Sequence, residues 1–135
     1  MIQIASGFNS DLNNWLILNE SENKTLLISK DIMEKRPYNA TRFCSAWEES
    51  SLHEHLNEYF LLSVEEVSRY FLDNAARIAC FQGKPWAWWL RDIGIKNHAA
   101  FVGKDGTVSA HGYRVDCAWC SVRPAIWLRT EELLT

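Results

Sequence analysis

Two cysteines near the C-terminus, Cys117 and Cys120, have the spacing of a redox-active dithiol. Such a pair is reactive when it opens a helix that follows a strand, because the helix N-terminus lowers the thiol pKa. Here a strand-like segment follows the pair directly, and no strand–helix–strand pattern surrounds it. We therefore expect two loop cysteines with free thiols, and a thiol oxidoreductase that uses both of them is the alternative.

The same two cysteines could bind a metal ion together with His98, His111 or Cys80. A structural zinc site needs about four nitrogen or sulfur ligands. The spacing between His111 and the cysteines is short and irregular, and the aspartates of the C-terminal third do not form a calcium-binding motif. The sequence therefore predicts no metal ion and no cofactor.

Tryptophan is concentrated in the C-terminal third, where five of the seven tryptophans lie between residues 86 and 127. Aromatic side chains provide large apolar areas, so this cluster is either core or recognition surface. Arg91 and Arg123 lie in apolar stretches of the same region, and arginine is rarely buried without a partner. We predict that both arginines anchor loops by hydrogen bonds to carbonyls or carboxylates, with direct ligand contact as the alternative.

The composition excludes several classes of protein. A chain of 135 residues fits one domain, and 47% hydrophobic with 23% charged residues is typical of a globular core. The net charge is −3 and no basic stripe occurs, which disfavours a nucleic-acid partner. No apolar run approaches the ~20 residues that span a bilayer, and residues 1–7 do not resemble a secretory signal. We expect a cytoplasmic protein with no membrane partner.

Turn residues and alternation predict an N-terminal hairpin from strands at residues 14–19 and 24–29. Residues 31–35 suggest a short turn of helix that ends before Pro37. Two capping-box signals, which begin at Ser51 and at Ser63, predict two helices. The second of these is expected to end near residues 73–74.

From Phe81 onward, glycines alternate with short apolar segments, which predicts short strands at residues 88–90, 99–102 and 107–110. Residues 104–106 have the composition of a hairpin turn in which the glycine adopts a positive φ. A last strand at residues 122–128 should lie at an edge or contain a bulge, because its proline cannot donate to a ladder. Strands, then helices, then a meander of antiparallel strands indicate the α+β class.

Several segments taken together resemble a known family. They are Leu26-Leu-Ile-Ser-Lys with Arg36-Pro-Tyr-Asn, then residues 60–71, then Trp88-Trp-Leu-Arg, Ala99-Ala-Phe-Val, Asp105-Gly and Val122-Arg-Pro-Ala-Ile-Trp-Leu. They are similar to an uncharacterised bacterial and phage family with a C-type-lectin-like fold, related to variable proteins of diversity-generating retroelements and to formylglycine-generating-enzyme domains. The resemblance implies one domain over residues 1–135, with a hairpin and helical layer at 1–80 and a strand–loop region that displays ligand contacts at 81–128.

The resemblance also implies a function. Such a domain binds a ligand, here a protein, through its C-terminal loops and is not an enzyme; a phage or mobile-element protein that acts on a host factor is the alternative. Framework positions include Trp89, Arg91, Arg123 and Trp127. Display positions, which would contact the ligand, are Asp92, Ile93, Ile95, Lys96, Asn97, His98, His111, Tyr113, Arg114, Asp116, Cys117, Trp119 and Cys120. All of these types except Lys and Trp arise when the adenines of an asparagine codon are mutated.

Overall fold

The fold is α+β, as the sequence predicts, over the residues that this computed structural model describes, 14–43 and 46–131. The strands are β1 (Trp15–Glu20), β2 (Lys24–Ser29), β3 (Glu34–Lys35), β4 (Ala79–Phe81), β5 (Lys84–Trp86), β6 (Trp88–Ile93), β7 (His98–Val102), β8 (Val108–Arg114), β9 (Ser121–Val122) and β10 (Ala125–Arg129). The helices are α1 (Ser51–Leu56), α2 (Val64–Tyr70) and α3 (Asn74–Arg77), and a 3-10 turn, Trp47–Glu49, precedes α1.

A three-stranded sheet combines the N-terminal hairpin with the last strand, in the order β1-β2-β10. The predicted hairpin is confirmed, since β1 and β2 pair antiparallel across a short polar turn. The predicted strand at residues 122–128 is divided into β9 and β10 at Arg123 and Pro124. Proline cannot donate to a ladder, so pairing stops there and the chain passes from one sheet to the other.

The second sheet has five strands in the order β3-β9-β6-β7-β8, and β4 pairs separately with β5. The meander β6-β7-β8 is antiparallel, as predicted, but β9 pairs parallel to β6 through Trp88 and Ser121. The turn between β7 and β8 is also confirmed, with Gly106 at φ +86°. The helical turn expected at residues 31–35 is wrong, because Glu34 and Lys35 pair with β9.

The helices begin at side-chain caps that differ in part from the predicted ones. The Ser63–Glu66 capping box of α2 is confirmed. The cap of α1 is Ser50 rather than Ser51, and its hydroxyl accepts the backbone N–H of His53. Helix α2 ends at Tyr70, before the predicted end near residues 73–74. The carboxylate of Asp73 accepts the N–H of Ala76 and begins a third helix. A side chain that satisfies a free N–H of the first turn is what permits so short a helix.

Strand β6 lies between two hydrophobic clusters. Trp88 and Trp89 are both fully buried, and they point to opposite faces because side chains alternate along a strand. Trp89 packs in a cluster with Leu27, and Trp88 packs in another with Val67 of α2. Within the described ranges, no helix has the length and apolar character needed to cross a membrane.

Candidate functional site

Arg91, at the end of the buried part of β6, fixes this strand to the chain before α2. Its Nη1 donates to the carbonyl of Leu61 at 2.8 Å and to Oε1 of Glu66 at 2.5 Å. Its own carbonyl accepts the Tyr38 hydroxyl at 3.0 Å. These are contacts of the kind expected for an anchor, since the guanidinium joins β6 to Leu61 and α2, while the backbone carbonyl of the same residue binds Tyr38.

Arg123 is a second internal guanidinium, with only 2% of its surface exposed. Its Nε donates to the carbonyl of Ser29 at 2.7 Å, and the guanidinium lies 4.9 Å from the Trp88 ring centroid. Burial lowers the pKa of Arg123 to about 10, and its buried Nη1 makes no hydrogen bond within the described chain. Arg123 thus holds the point at which the chain changes sheets.

The two tryptophans predicted as framework differ in position. Trp89 is fully buried, and its Nε1 donates to the carbonyl of Arg36 at 2.8 Å. Trp127 instead lies on the edge strand β10, is 38% exposed and belongs to neither hydrophobic cluster. An edge strand leaves part of its side chains in solvent, so Trp127 is not an internal anchor.

Four aromatic side chains from four separate segments meet at the surface, and we call them the aromatic patch. They are Trp86, Phe101, Tyr113 and Trp119. The Trp119 ring lies 5.6 Å from Tyr113, 6.2 Å from Phe101 and 6.0 Å from Trp86, measured between centroids. Tyr113 is 47% exposed and Trp119 is 43% exposed. The patch is therefore a continuous aromatic surface that solvent reaches.

Backbone contacts hold this patch in place. Trp86 donates its Nε1–H to the carbonyl of Trp119 at 2.7 Å, which attaches the loop before β9 to the hairpin β4-β5. Phe101 and Tyr113 lie on the paired strands β7 and β8. The Nζ of Lys35 lies 3.7 Å from the Trp86 ring centroid, a cation–π distance. A surface fixed in this way loses little conformational entropy when it binds a partner.

A cleft of about 310 Å³ opens beside the patch, and we call it the tryptophan cleft. It is lined by Trp86, Ala87, Gly103, Lys104, Asp105 and Trp119. The backbone N–H of Thr107 donates to Asp105 at 3.0 Å, and this bond holds the pKa of the Asp105 carboxyl below its usual range. The cleft therefore has aromatic walls and a rim with one cation and one anion.

A second cleft has a volume of about 500 Å³, and we call it the basic cleft. It is lined by Arg42, Phe43, Lys96, Asn97, His98 and Arg114. A smaller depression, lined by Tyr113, Arg114, Asp116 and Cys117, shares Arg114 with the basic cleft and Tyr113 with the aromatic patch. Arg114 donates to Asp116 through Nε at 3.1 Å and Nη2 at 2.9 Å, which lowers the pKa of the Asp116 carboxyl.

The structure brings together eight of the predicted display positions in this region. They are Lys96, Asn97, His98, Tyr113, Arg114, Asp116, Cys117 and Trp119. Ile93 and Ile95 are also exposed, by 60% and 52%, and the N–H of Ile95 donates to the His111 carbonyl at 2.9 Å. The β6–β7 turn that carries these two isoleucines therefore lies against His111 of β8.

Asp92, predicted as a display position, has a structural contact instead. Its Oδ1 accepts the backbone N–H of Val64 at 2.7 Å. Val64 is the first residue of α2, where N–H groups have no partner within the helix and a carboxylate is favourable. Asp92 therefore fixes α2 against β6.

Cys120 does not belong to the display surface, because its side chain is fully buried in the cluster around Trp89. Burial raises the pKa of the Cys120 thiol far above its usual range. Catalytic dithiols need a lowered thiol pKa, and no helix follows this pair before β9. Over residues 14–43 and 46–131, no group of three His, Cys, Asp or Glu side chains could hold a metal ion.

We expect thiol labelling to separate the two cysteines. Cys117 is partly exposed, whereas a reagent cannot contact the buried Cys120 sulfur in the folded protein. With an aromatic disulfide reagent at pH 8, Cys117→Ala should remove one fast-reacting thiol and Cys120→Ala none. A fast thiol lost in Cys120→Ala would show that this cysteine is accessible, and labelling in urea gives the total count.

Several residues of this surface were missed by the sequence reasoning. Phe101 lies in a segment that carries the family resemblance and is not among the predicted display positions, and neither are Lys35, Arg42 and Phe43. Arg42 and Phe43 lie before the helical layer, far in sequence from the strands they face, so no spacing pattern connects them to Arg114. Trp86 had one signal, its place in the tryptophan-rich segment.

Comparison with known proteins assigns residues 59–130 to the DUF6273 family, a domain of unknown function. This match covers just over half of the chain. The chain belongs to the DUF6273 family. The matched residues run from the end of the α1 region to β10 and include the whole aromatic patch, while Arg42 and Phe43 lie outside them. No curated protein and no solved structure matches the chain.

Proposed function

We propose that this member of the DUF6273 family is a protein-binding domain that contacts its partner through the aromatic patch. The observation that supports the proposal is the continuous ring contact of Trp86, Phe101, Tyr113 and Trp119, with the last two almost half exposed. A few residues provide most of the binding energy in protein interfaces, and tryptophan, tyrosine and arginine are enriched among them. Arg114 lines the same depression as Tyr113 and completes this composition.

A protein partner suits this surface better than a small ligand. Pockets for small ligands enclose most of the ligand surface. Here the aromatic patch is partly exposed, shares Trp86 and Trp119 with the tryptophan cleft, and shares Tyr113 with the depression that borders the basic cleft. An extended surface of this kind favours a partner that covers several depressions at once.

We further propose that the scaffold is C-type-lectin-like and that the chain is a variable protein of a diversity-generating retroelement. The return of β10 to the N-terminal hairpin supports this scaffold, because it closes one sheet and leaves the other to carry the loops. The grouping of eight display positions on one surface supports variability there. A reverse transcriptase gene and a near-identical template repeat beside the gene would support the proposal, and their absence would contradict it.

We expect Trp119→Ala to weaken binding of the partner at least about 100-fold, as for a central aromatic contact residue. The partner is first recovered by affinity capture from cells of the organism that encodes the protein, and it is identified. The Kd of the purified pair is then measured by calorimetry. Trp127→Ala is the matched control, because it removes a similarly exposed tryptophan from β10, outside the aromatic patch, and should change the Kd less than about twofold. Equal Kd values for Trp119→Ala and wild type would refute the aromatic patch as the contact surface.

A further inference from the structure

We propose that the basic cleft is a subsite for carboxylates, and that the segment which this domain recognises is an acidic peptide. The inference rests on the proposed function, and it adds the chemistry of the partner. Arg42, Lys96 and Arg114 line one depression of about 500 Å³ in a chain whose net charge is −3. Three cations around one cleft in an acidic protein form a local positive field that attracts an anionic ligand.

The charge of this cleft is only partly compensated. Arg114 is paired with Asp116 through two hydrogen bonds, which raise the pKa of Arg114 and lower that of Asp116. Arg42 lies near enough to Asp116 to lower the pKa of the same carboxyl. The lining of the cleft contains three cations and no carboxylate, so after Asp116 is counted against Arg114 an excess of two positive charges is left for a ligand.

The loop that carries Lys96 is fixed before any ligand binds. The N–H of His98 donates to the Ile95 carbonyl at 2.8 Å, and the N–H of Val115 donates to the Asn97 carbonyl at 3.0 Å. The Nδ1 of His98 lies 2.7 Å from the Lys96 carbonyl. Since the backbone is held on both sides of Lys96, only the lysine side chain must be ordered on binding.

The arrangement favours an acidic peptide over a nucleic acid. A polynucleotide needs a row of cations that follows its backbone. Here three cations lie together in one cleft, and Asp116 and Asp105 interrupt the positive charge on the neighbouring surface. A peptide carries its carboxylates on individual side chains. It can therefore place acidic side chains in the basic cleft and apolar side chains against the aromatic patch.

A labelled hexaglutamate peptide tests the inference, with fluorescence anisotropy at low ionic strength as the measurement. We expect saturable binding to the full chain that weakens as salt is added. Arg42→Gln/Lys96→Gln should raise the Kd about tenfold or more, because two exposed charge contacts are lost. The matched control is Lys24→Gln/Arg129→Gln, which removes the same charge from facing positions on β2 and β10 and should change the Kd less than about twofold.

Asp116→Asn gives a result that a merely structural role would not produce. Removing this carboxylate frees Arg114 for the ligand, so the Kd for hexaglutamate should fall about threefold or more. Trp119→Ala distinguishes the two proposals. If this variant still binds hexaglutamate, and Arg42→Gln/Lys96→Gln still weakens that binding, the carboxylate subsite is supported even if the aromatic patch does not contact the partner. No saturable binding, equal loss in the control variant, or tighter binding of a labelled oligothymidylate through the same residues would overturn the inference.

Discussion

Trp88→Ala is expected to lower the free energy of unfolding by about 3–5 kcal/mol, the range for truncation of a large buried aromatic side chain. The Trp88 ring is fully buried between β6 and α2, and its Nε1 donates to the carbonyl of Arg77 at 3.1 Å. The guanidinium of Arg123 also lies against this ring, so the variant removes a cation–π contact from a buried charge. Urea denaturation followed by far-UV circular dichroism measures the change.

Trp127→Ala is the matched control for this variant, since it deletes the same side chain from a partly exposed edge position. Its expected loss is about 1 kcal/mol or less, because Trp127 is 38% exposed and belongs to neither hydrophobic cluster. Similar losses in the two variants would show that β10 is packed more tightly than described. A small loss in Trp88→Ala alone would contradict the position of this residue between sheet and helix.

Gly106→Ala is expected to lower the free energy of unfolding by about 2–4 kcal/mol, the sum of backbone strain and overpacking. Gly106 has φ +86°, in the left-handed region, and a methyl group there would lie 1.8 Å from the carbonyl oxygen of Asn74. The turn between β7 and β8 thus packs against the start of α3. Either the turn or α3 must move to accommodate a side chain.

Gly83→Ala separates the two contributions. Gly83 has nearly the same φ, +83°, but nothing lies within 4 Å of an added Cβ. The loss in free energy of unfolding for Gly83→Ala should therefore come from backbone strain alone, about 1–2 kcal/mol. If Gly106→Ala is no less stable than Gly83→Ala, the close contact between turn and helix is absent.

The Gly106 variant also affects the site. Strands β7 and β8, which this turn joins, carry Phe101 and Tyr113 of the aromatic patch. A displaced turn would change how these two rings face Trp119, so we expect weaker partner binding in Gly106→Ala than in Gly83→Ala. The comparison is meaningful at temperatures where both variants remain folded.

The elements that the sequence predicts correctly depend on local chemistry. The polar turn between β1 and β2 and the Ser63–Glu66 capping box each lie within a few residues of chain. Gly106 likewise specifies its own turn, because only glycine adopts its φ without strain. The errors at residues 31–35 and at Asp73 arose where a distant strand or a short additional helix competed with the local signal.

The sequence by itself determined the α+β class, the hairpin, the meander and the presence of unusual aromatic side chains in the C-terminal third. Only the tertiary structure decided that Trp88 and Trp89 are internal, that Cys120 is buried, and that the chain changes sheets at Pro124. It also decided which aromatic residues form the patch and which distant cations share a cleft with Arg114. The physical reason is that backbone conformation follows neighbours in sequence, whereas exposure and charge clustering follow from which strands pair.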